Sequence, residues 1–139
     1  YAGFLKRVYF FKHLSQEEVD LIASLCHDEE FEPGHVIFLE GAHADKFYIV
    51  MEGSVEVWKN FGEPQAELLA IHGSGHLFGE MALVDQSPRT AGAFAQEDSE
   101  LLAINRASLL ALVKNQPVFG MALLRAVADR LRYMNSLLA

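Results

Sequence analysis

Cysteine is almost absent from this sequence: Cys26 stands alone among 139 residues. A lone thiol cannot close an internal disulfide, so packing must hold the chain together, and the expectation is a buried thiol in the cytoplasm. Long apolar runs are missing as well. No stretch approaches the roughly 20 residues that cross a bilayer, and no leader-like segment opens the chain, so no membrane span is expected in this segment. Basic residues are scarce: 11 Lys and Arg against 19 Asp and Glu leave a formal charge of −8. A duplex-binding surface needs a basic patch, so nucleic acid is not an expected partner. The chain opens on Tyr1 rather than methionine, and further domains are expected to flank it.

Catalytic signatures are lacking too. The phosphate-cradling GxxxxGK[ST] motif does not occur, and "GSGHLF" carries Phe78 where a dinucleotide fingerprint needs its third glycine. No serine or cysteine sits in a nucleophile motif. There are six histidines, but His72 and His76 lie four apart across a glycine turn, while His35 and His43 are isolated. A metal-holding cupin barrel needs two histidines one residue apart, a later glutamate and a distant histidine. The sequence reads as a non-enzyme without a metal.

What is present is a core. Apolar residues make up 51% of the chain, enough for one globular domain over residues 1–139. Three zones follow one another, with no internal repeat. Residues 4–29 read as helical: Ser15 with Glu17 and Glu18 makes an N-terminal cap, and Val19, Ile22, Ala23 and Cys26 recur at helical spacing. Residues 30–105 read as short strands parted by turns. Pro33-Gly34 is a turn, "HVIFLEG" and "KFYIVMEG" each end in glycine, and Val55 and Val57 alternate with Glu56. Such spacing suggests a sandwich or a roll. Residues 106–138 read as a short helix over Ala107–Val113, a break near Pro117, and one long helix. Leu124, Val127, Leu131, Met134 and Leu138 form a seam on that helix, which a partner helix or the domain's own barrel would satisfy. Phe119, Leu123, Ala126 and Tyr133 lie off the seam, so a second covered face is expected.

The chemistry concentrates in "GHLFGEMALVDQSPRTAGAFA", Gly75 to Ala95. Gly79, Glu80, Met81, Ala82 and Leu83 can form one helical turn after a strand, whose first amides are open to an anion. Gly79 lets backbone approach closely. Arg89, beyond the Ser87-Pro88 turn, can bring a guanidinium fork to the same point. One arginine plus amides suits a singly charged phosphodiester. Glu80 beside an anion makes sense if it accepts from a neutral hydroxyl, and a 3′,5′-cyclic nucleotide leaves only the ribose 2′-hydroxyl free.

"FGEMAL" followed by "SPRTA" resembles the phosphate-binding cassette of the cyclic nucleotide-binding domain, found in catabolite-activator-type regulators, cyclic-nucleotide-dependent kinases and gated channels. "FEPGHVIFLEGAHADKFYIVMEGSVEVW" is similar to that family's first strands, and "INRASLLALVKNQPVFGMALLRAVADRLR" to its last two helices. The resemblance implies a mainly β fold with flanking helices (α+β): an eight-stranded antiparallel, jelly-roll-like β-roll, an N-terminal helical segment and two C-terminal helices, B and C. It implies Glu80 on the ribose, Arg89 on the phosphate, and backbone amides of Ala82 and Thr90 on phosphate oxygens. It further implies Val57 with one or more of Leu69, Ala70 and Ile71 against the base, and Arg130 covering the purine. His72 and His76 depart from the family pattern, at positions not matched to ligand contacts. A threonine such as Thr90 favours cyclic GMP in some members and occurs in others that prefer cyclic AMP; cyclic AMP is the expected ligand and cyclic GMP the alternative.

The expected function is a regulatory module that senses a cyclic nucleotide and relays binding through its C-terminal helix. A homodimer through that helix and a fused or partner effector domain are further expectations. The alternatives are an interaction domain of the same fold that binds no nucleotide, or the sensor part of a larger transcription regulator, channel or kinase.

Overall fold

A computed structural model describes residues 1–8, 11–80 and 87–138; in the last helix it describes side chains as far as Ala126, with those of Ala128, Asp129 and Arg132. It divides into a helical unit, Tyr1–Cys26 with Ala107–Ala139, and a strand unit, His27–Arg106.

In the helical unit, α1 (Ala2–Leu5) is followed by α2 (Gln16–Ala23). Ser15 caps α2 as expected: its hydroxyl accepts from the Glu18 amide at 3.2 Å, and the Glu18 carboxylate accepts from the Ser15 amide at 2.8 Å. Each contact satisfies a donor that the first turn would leave unpaired. Val19 and Ile22 lie on the buried face. The helical reading does not extend to residue 29, because Cys26 already opens a strand. Its thiol still donates back to the Ile22 carbonyl at 3.4 Å, and burial pushes it up to about 11.

After the strands come α3 (Arg106–Asn115) and α4 (Pro117–Leu138), with Pro117 in the first helical position, where its missing N–H costs nothing. Gly120 lets α4 pass close to α3, since a Cβ there would sit 2.8 Å from Val113. Two faces of α4 separate as the sequence suggests. Phe119, Ala122 and Ala126 are buried, while Val118, Met121 and Leu124 are exposed. The remaining seam side chains, Val127, Leu131, Met134 and Leu138, and that of Tyr133 lie outside the described residues.

The strand unit holds β1 (Cys26–Phe31), β2 (Val36–Phe38), β3 (Lys46–Glu52), β4 (Val55–Lys59), β5 (Glu67–His72), β6 (Leu77–Phe78), β7 (Gly92–Ala95) and β8 (Ser99–Asn105). They form two four-stranded sheets, in the orders β1-β8-β3-β6 and β2-β7-β4-β5. Tyr48, Val50, Phe78, Leu101 and Ala103 of the first sheet share one core with Val55 and Ala93 of the second, and Phe31, Ile37, Phe38 and Val57 pack against it. This is the eight-stranded β-roll, counted over the described residues. No helix among them is long and apolar enough to cross a membrane.

Register decides which side chains face inward. Val55 pairs with both His72 and Ala95, and Val57 pairs with both Ala70 and Ala93, so each set shares the core face of its sheet. Glu56 pairs with Ile71 and Phe94, a row on the opposite face. The β4–β5 register shifts between Val57 and Trp58, which leaves Leu69 as the extra residue.

Candidate functional site

A cavity of about 410 Å³ opens in the strand unit. One side of it comes from the strands, with Phe38, Val57, His72 and Phe78, and from Ala44 in the loop before β3. The other comes from the segment read as a cassette: Gly79, Glu80, Ser87, Pro88, Arg89, Thr90 and Ala91. Its size falls in the range of small-molecule sites, roughly 300–1,000 Å³.

Arg89 dominates the cavity's electrostatics. Its residue is 7% exposed, yet among the described residues no carboxylate forms an ion pair with it. The guanidinium donates through Nη1 to the Gly79 carbonyl at 3.0 Å and through Nη2 to the Lys46 carbonyl. Its carbon lies 4.0 Å from the centre of the Phe38 ring, and its buried Nε has no hydrogen-bond partner. Burial draws its pKa below the usual arginine range, with the charges of Tyr48 and Asp45 opposing the shift. A desolvated cation held by carbonyls and a ring keeps a strong attraction for an anion, and its Nε–H is an unused donor.

The backbone around Arg89 is fixed. Its amide donates to the Ala42 carbonyl and its carbonyl accepts from Gly41, both at 2.8 Å. Next along the chain, the Thr90 carbonyl accepts from Lys59 Nζ at 2.9 Å, and the same ammonium pairs with Glu40 at 2.9 Å. Glu40 also accepts from the Asn60 amide, and these two donors hold its carboxyl below the usual carboxylate range. Gly79 has φ of +73°, and a Cβ on it would lie 2.9 Å from Arg89 Nη1. Glycine suits the position on both counts: the backbone is left-handed, and a Cβ would have to displace the Arg89 guanidinium.

Of the residues singled out in the sequence, Gly79, Glu80, Arg89, Thr90 and Val57 all line this cavity. None of Leu69, Ala70 and Ile71 lines it: Ala70 is on the row of Val57, and Leu69 and Ile71 are 51% and 49% exposed. Met81 and Ala82 lie outside the described residues, as does the side chain of Arg130. The sequence reading did not name seven wall residues as site residues: Phe38, Ala44, His72 and Phe78, and Ser87, Pro88 and Ala91 of the cassette segment. His72, which the sequence reading matched to no ligand contact, sits on the wall because it shares the inward row of Val55. Counting two residues on from Ala70 along β5 would have found it.

A family model for the cyclic nucleotide-binding domain matches residues 28–116, covering both sheets and the whole cavity wall. The chain belongs to this family. It is 39% identical over 122 residues to the Cyclic AMP receptor protein of Thermus thermophilus, a match covering 88% of this chain and 56% of the receptor. The chain thus spans little more than half of that curated relative. Among solved structures, the N-terminal domain of a transcriptional regulator from Streptomyces coelicolor A3(2) superposes with a TM-score of 0.84 at 33% identity, covering 96% of this chain and 95% of that one. The regulatory domain of Toxoplasma gondii PKA, crystallised with cAMP, superposes with a TM-score of 0.77 at 31% identity, covering 98% of this chain and 48% of that one. The cyclic nucleotide-binding domain therefore has its β-roll here, with Arg89 buried at the cavity.

Proposed function

We propose that the chain is a non-catalytic sensor module that binds cyclic AMP in the cavity around Arg89. The observation that carries this reading is the buried guanidinium: a desolvated cation that forms no ion pair with a carboxylate among the described residues, and whose Nε has no hydrogen-bond partner. A phosphodiester supplies the missing negative charge and acceptor atoms in one group. Glu80, on the same wall, accepts from the ribose 2′-hydroxyl, and Val57 packs on the base. The relatives named for cyclic AMP support adenine over guanine as the base.

Binding shifts a two-state equilibrium only by the difference in affinity for the two states. Helix α4 carries the output, and its exposed Val118, Met121 and Leu124 offer apolar surface to a partner subunit or an effector domain. A flanking effector domain accords with the share of the receptor that the chain spans.

Isothermal titration calorimetry with cyclic AMP and cyclic GMP tests the reading. The expected result is saturable heat with tighter binding of cyclic AMP, lost or weakened at least 100-fold in Arg89→Ala. Glu80→Ala should weaken binding by about 10- to 150-fold, since hydrogen bonds to charged groups contribute about 1.5–3 kcal/mol. It should also abolish the preference for cyclic AMP over its 2′-deoxy analogue. Absence of heat with both nucleotides would leave the alternative, a binding-inactive interaction domain of the same fold.

A further inference from the structure

The guanidinium of Arg89 is held from three directions. Nη1 donates to the Gly79 carbonyl at 3.0 Å, and Nη2 donates to the Lys46 carbonyl. Both bonds lie along the cation's plane and only weakly restrain its tilt about the line joining the two nitrogens. Phe38 supplies the third restraint: its ring centre lies 4.0 Å from the guanidinium carbon, in contact across one face. The same ring reaches Gly79, with Cε2 3.6 Å from the point a Cβ there would occupy. Phe38 is itself fixed from behind. It ends β2, pairs with Ala93 of β7, and meets the core rings of Tyr48 at 6.0 Å and Phe78 at 6.2 Å. Tyr48 and Phe78 stack on each other at 5.3 Å with planes 15° apart. The cation thus rests on an aromatic platform built by β2, β3 and β6, which belong to both sheets.

From this arrangement, and resting on the nucleotide reading above, we infer that Phe38 is a positioning residue for the ligand's phosphate. It acts through Arg89, by holding the guanidinium plane at the tilt in which the donors left over by the two carbonyls meet the phosphate. All five N–H groups of a guanidinium lie in one plane, so a change of tilt re-aims every remaining donor at once. An aromatic face attracts the cation and fixes that tilt. An aliphatic side chain fills much of the same space without that attraction. The guanidinium then samples other tilts, and the apparent affinity falls with the fraction of molecules that hold the competent one. The loss concerns capture of the phosphate, so it is common to cyclic AMP and cyclic GMP, whose phosphates are identical.

The test is a set of dissociation constants for cyclic AMP and cyclic GMP, measured by calorimetry on the parent, Phe38→Leu, Phe38→Tyr, Arg89→Lys and the variant combining Phe38→Leu with Arg89→Lys. Thermal melts without ligand establish that each folds, and Phe38→Met repeats the comparison if the leucine variant does not. Phe38→Leu should weaken both nucleotides alike, by about 3- to 30-fold, the range of one cation–π contact. Phe38→Tyr keeps the aromatic face and should recover most of that loss. On the Arg89→Lys background, where no plane remains to be aimed, the same leucine should cost less than about twofold. A packing role would carry the full loss into the lysine background, and a contact with the base would change the ratio of the two nucleotides. Either result overturns the inference, as does parental affinity in Phe38→Leu while Arg89→Ala is impaired. If the parent itself binds neither nucleotide, the proposed function falls first, and this inference with it.

Discussion

At the scale of single residues, the site rests on a close approach between Gly79 and Arg89. The glycine is left-handed and its side-chain space is taken by Arg89 Nη1. Gly79→Ala therefore faces two penalties: about 1–2 kcal/mol for a non-glycine residue in that backbone region, and a collision that pushes the guanidinium off the Gly79 carbonyl. The expected outcome is a loss of at least 10-fold in cyclic nucleotide affinity, with the far-UV circular dichroism of the parent retained; calorimetry and circular dichroism check the two halves. Arg89, Gly79 and Glu80 were legible in the sequence because their chemistry is self-consistent: an anion needs a cation and close backbone, and a carboxylate beside that anion needs a hydroxyl to justify it. His72 was not legible by the same logic. It stands next to a glycine turn and looks like a loop residue until the β4–β5 register is known. Phe38 was hidden for another reason: nothing in its local sequence says that an aromatic ring at the end of β2 lies beneath the guanidinium.

At the scale of elements, the turns and caps were the most readable parts, since they depend on local backbone chemistry. The Ser15 cap and the Pro33-Gly34 turn, where Gly34 has φ of +83°, are examples. The start of β1 was not readable. Cys26 continues the helical spacing of Val19, Ile22 and Ala23, and the following His27, Asp28, Glu29 and Glu30 carry no apolar alternation to announce a strand. Only pairing with β8 in the first sheet makes it one. Two glycine turns that look alike in sequence differ sharply in what surrounds them. Gly53, between β3 and β4, has φ of +100°, and a Cβ on it would lie 2.3 Å from Ser99 Oγ and 2.6 Å from the Asp98 carbonyl oxygen. Gly41 has φ of +87° with nothing within 4 Å of that point. Gly53→Ala should cost about 2–5 kcal/mol, combining left-handed backbone strain with overpacking against a backbone that cannot yield. Gly41→Asn should cost less than about 1 kcal/mol, because asparagine tolerates that backbone region and meets no neighbour. Urea denaturation midpoints of the two variants check the contrast; similar losses in both would mean that backbone conformation, not the Ser99 contact, sets the requirement at Gly53.

At the scale of the whole molecule, an acidic protein is proposed to bind an anion. The formal charge of −8 repels a cyclic nucleotide at long range, while Arg89 attracts it only within the cavity. Salt separates the two effects. At 10 mM ionic strength the screening length is about 30 Å, so an approaching ligand feels most of the net charge; at 150 mM it is about 8 Å, and only the local field survives. For eight charges at roughly 20 Å in water the unscreened repulsion is about 1.7 kcal/mol, of which about half remains at the lower salt and under a tenth at the higher. The association rate should therefore rise about two- to fourfold between 10 and 150 mM salt, in stopped-flow measurements with a fluorescent cyclic nucleotide. A site whose approach was governed by a surrounding basic surface would show the reverse slope. Arg89→Lys separates capture from approach: it keeps the charge but loses the planar fork that pairs with two phosphate oxygens. The same upward salt dependence of association should persist in that variant, with the loss of affinity falling on dissociation. A salt slope that reversed sign on this substitution would mean that Arg89 governs the approach path as well as the bound state.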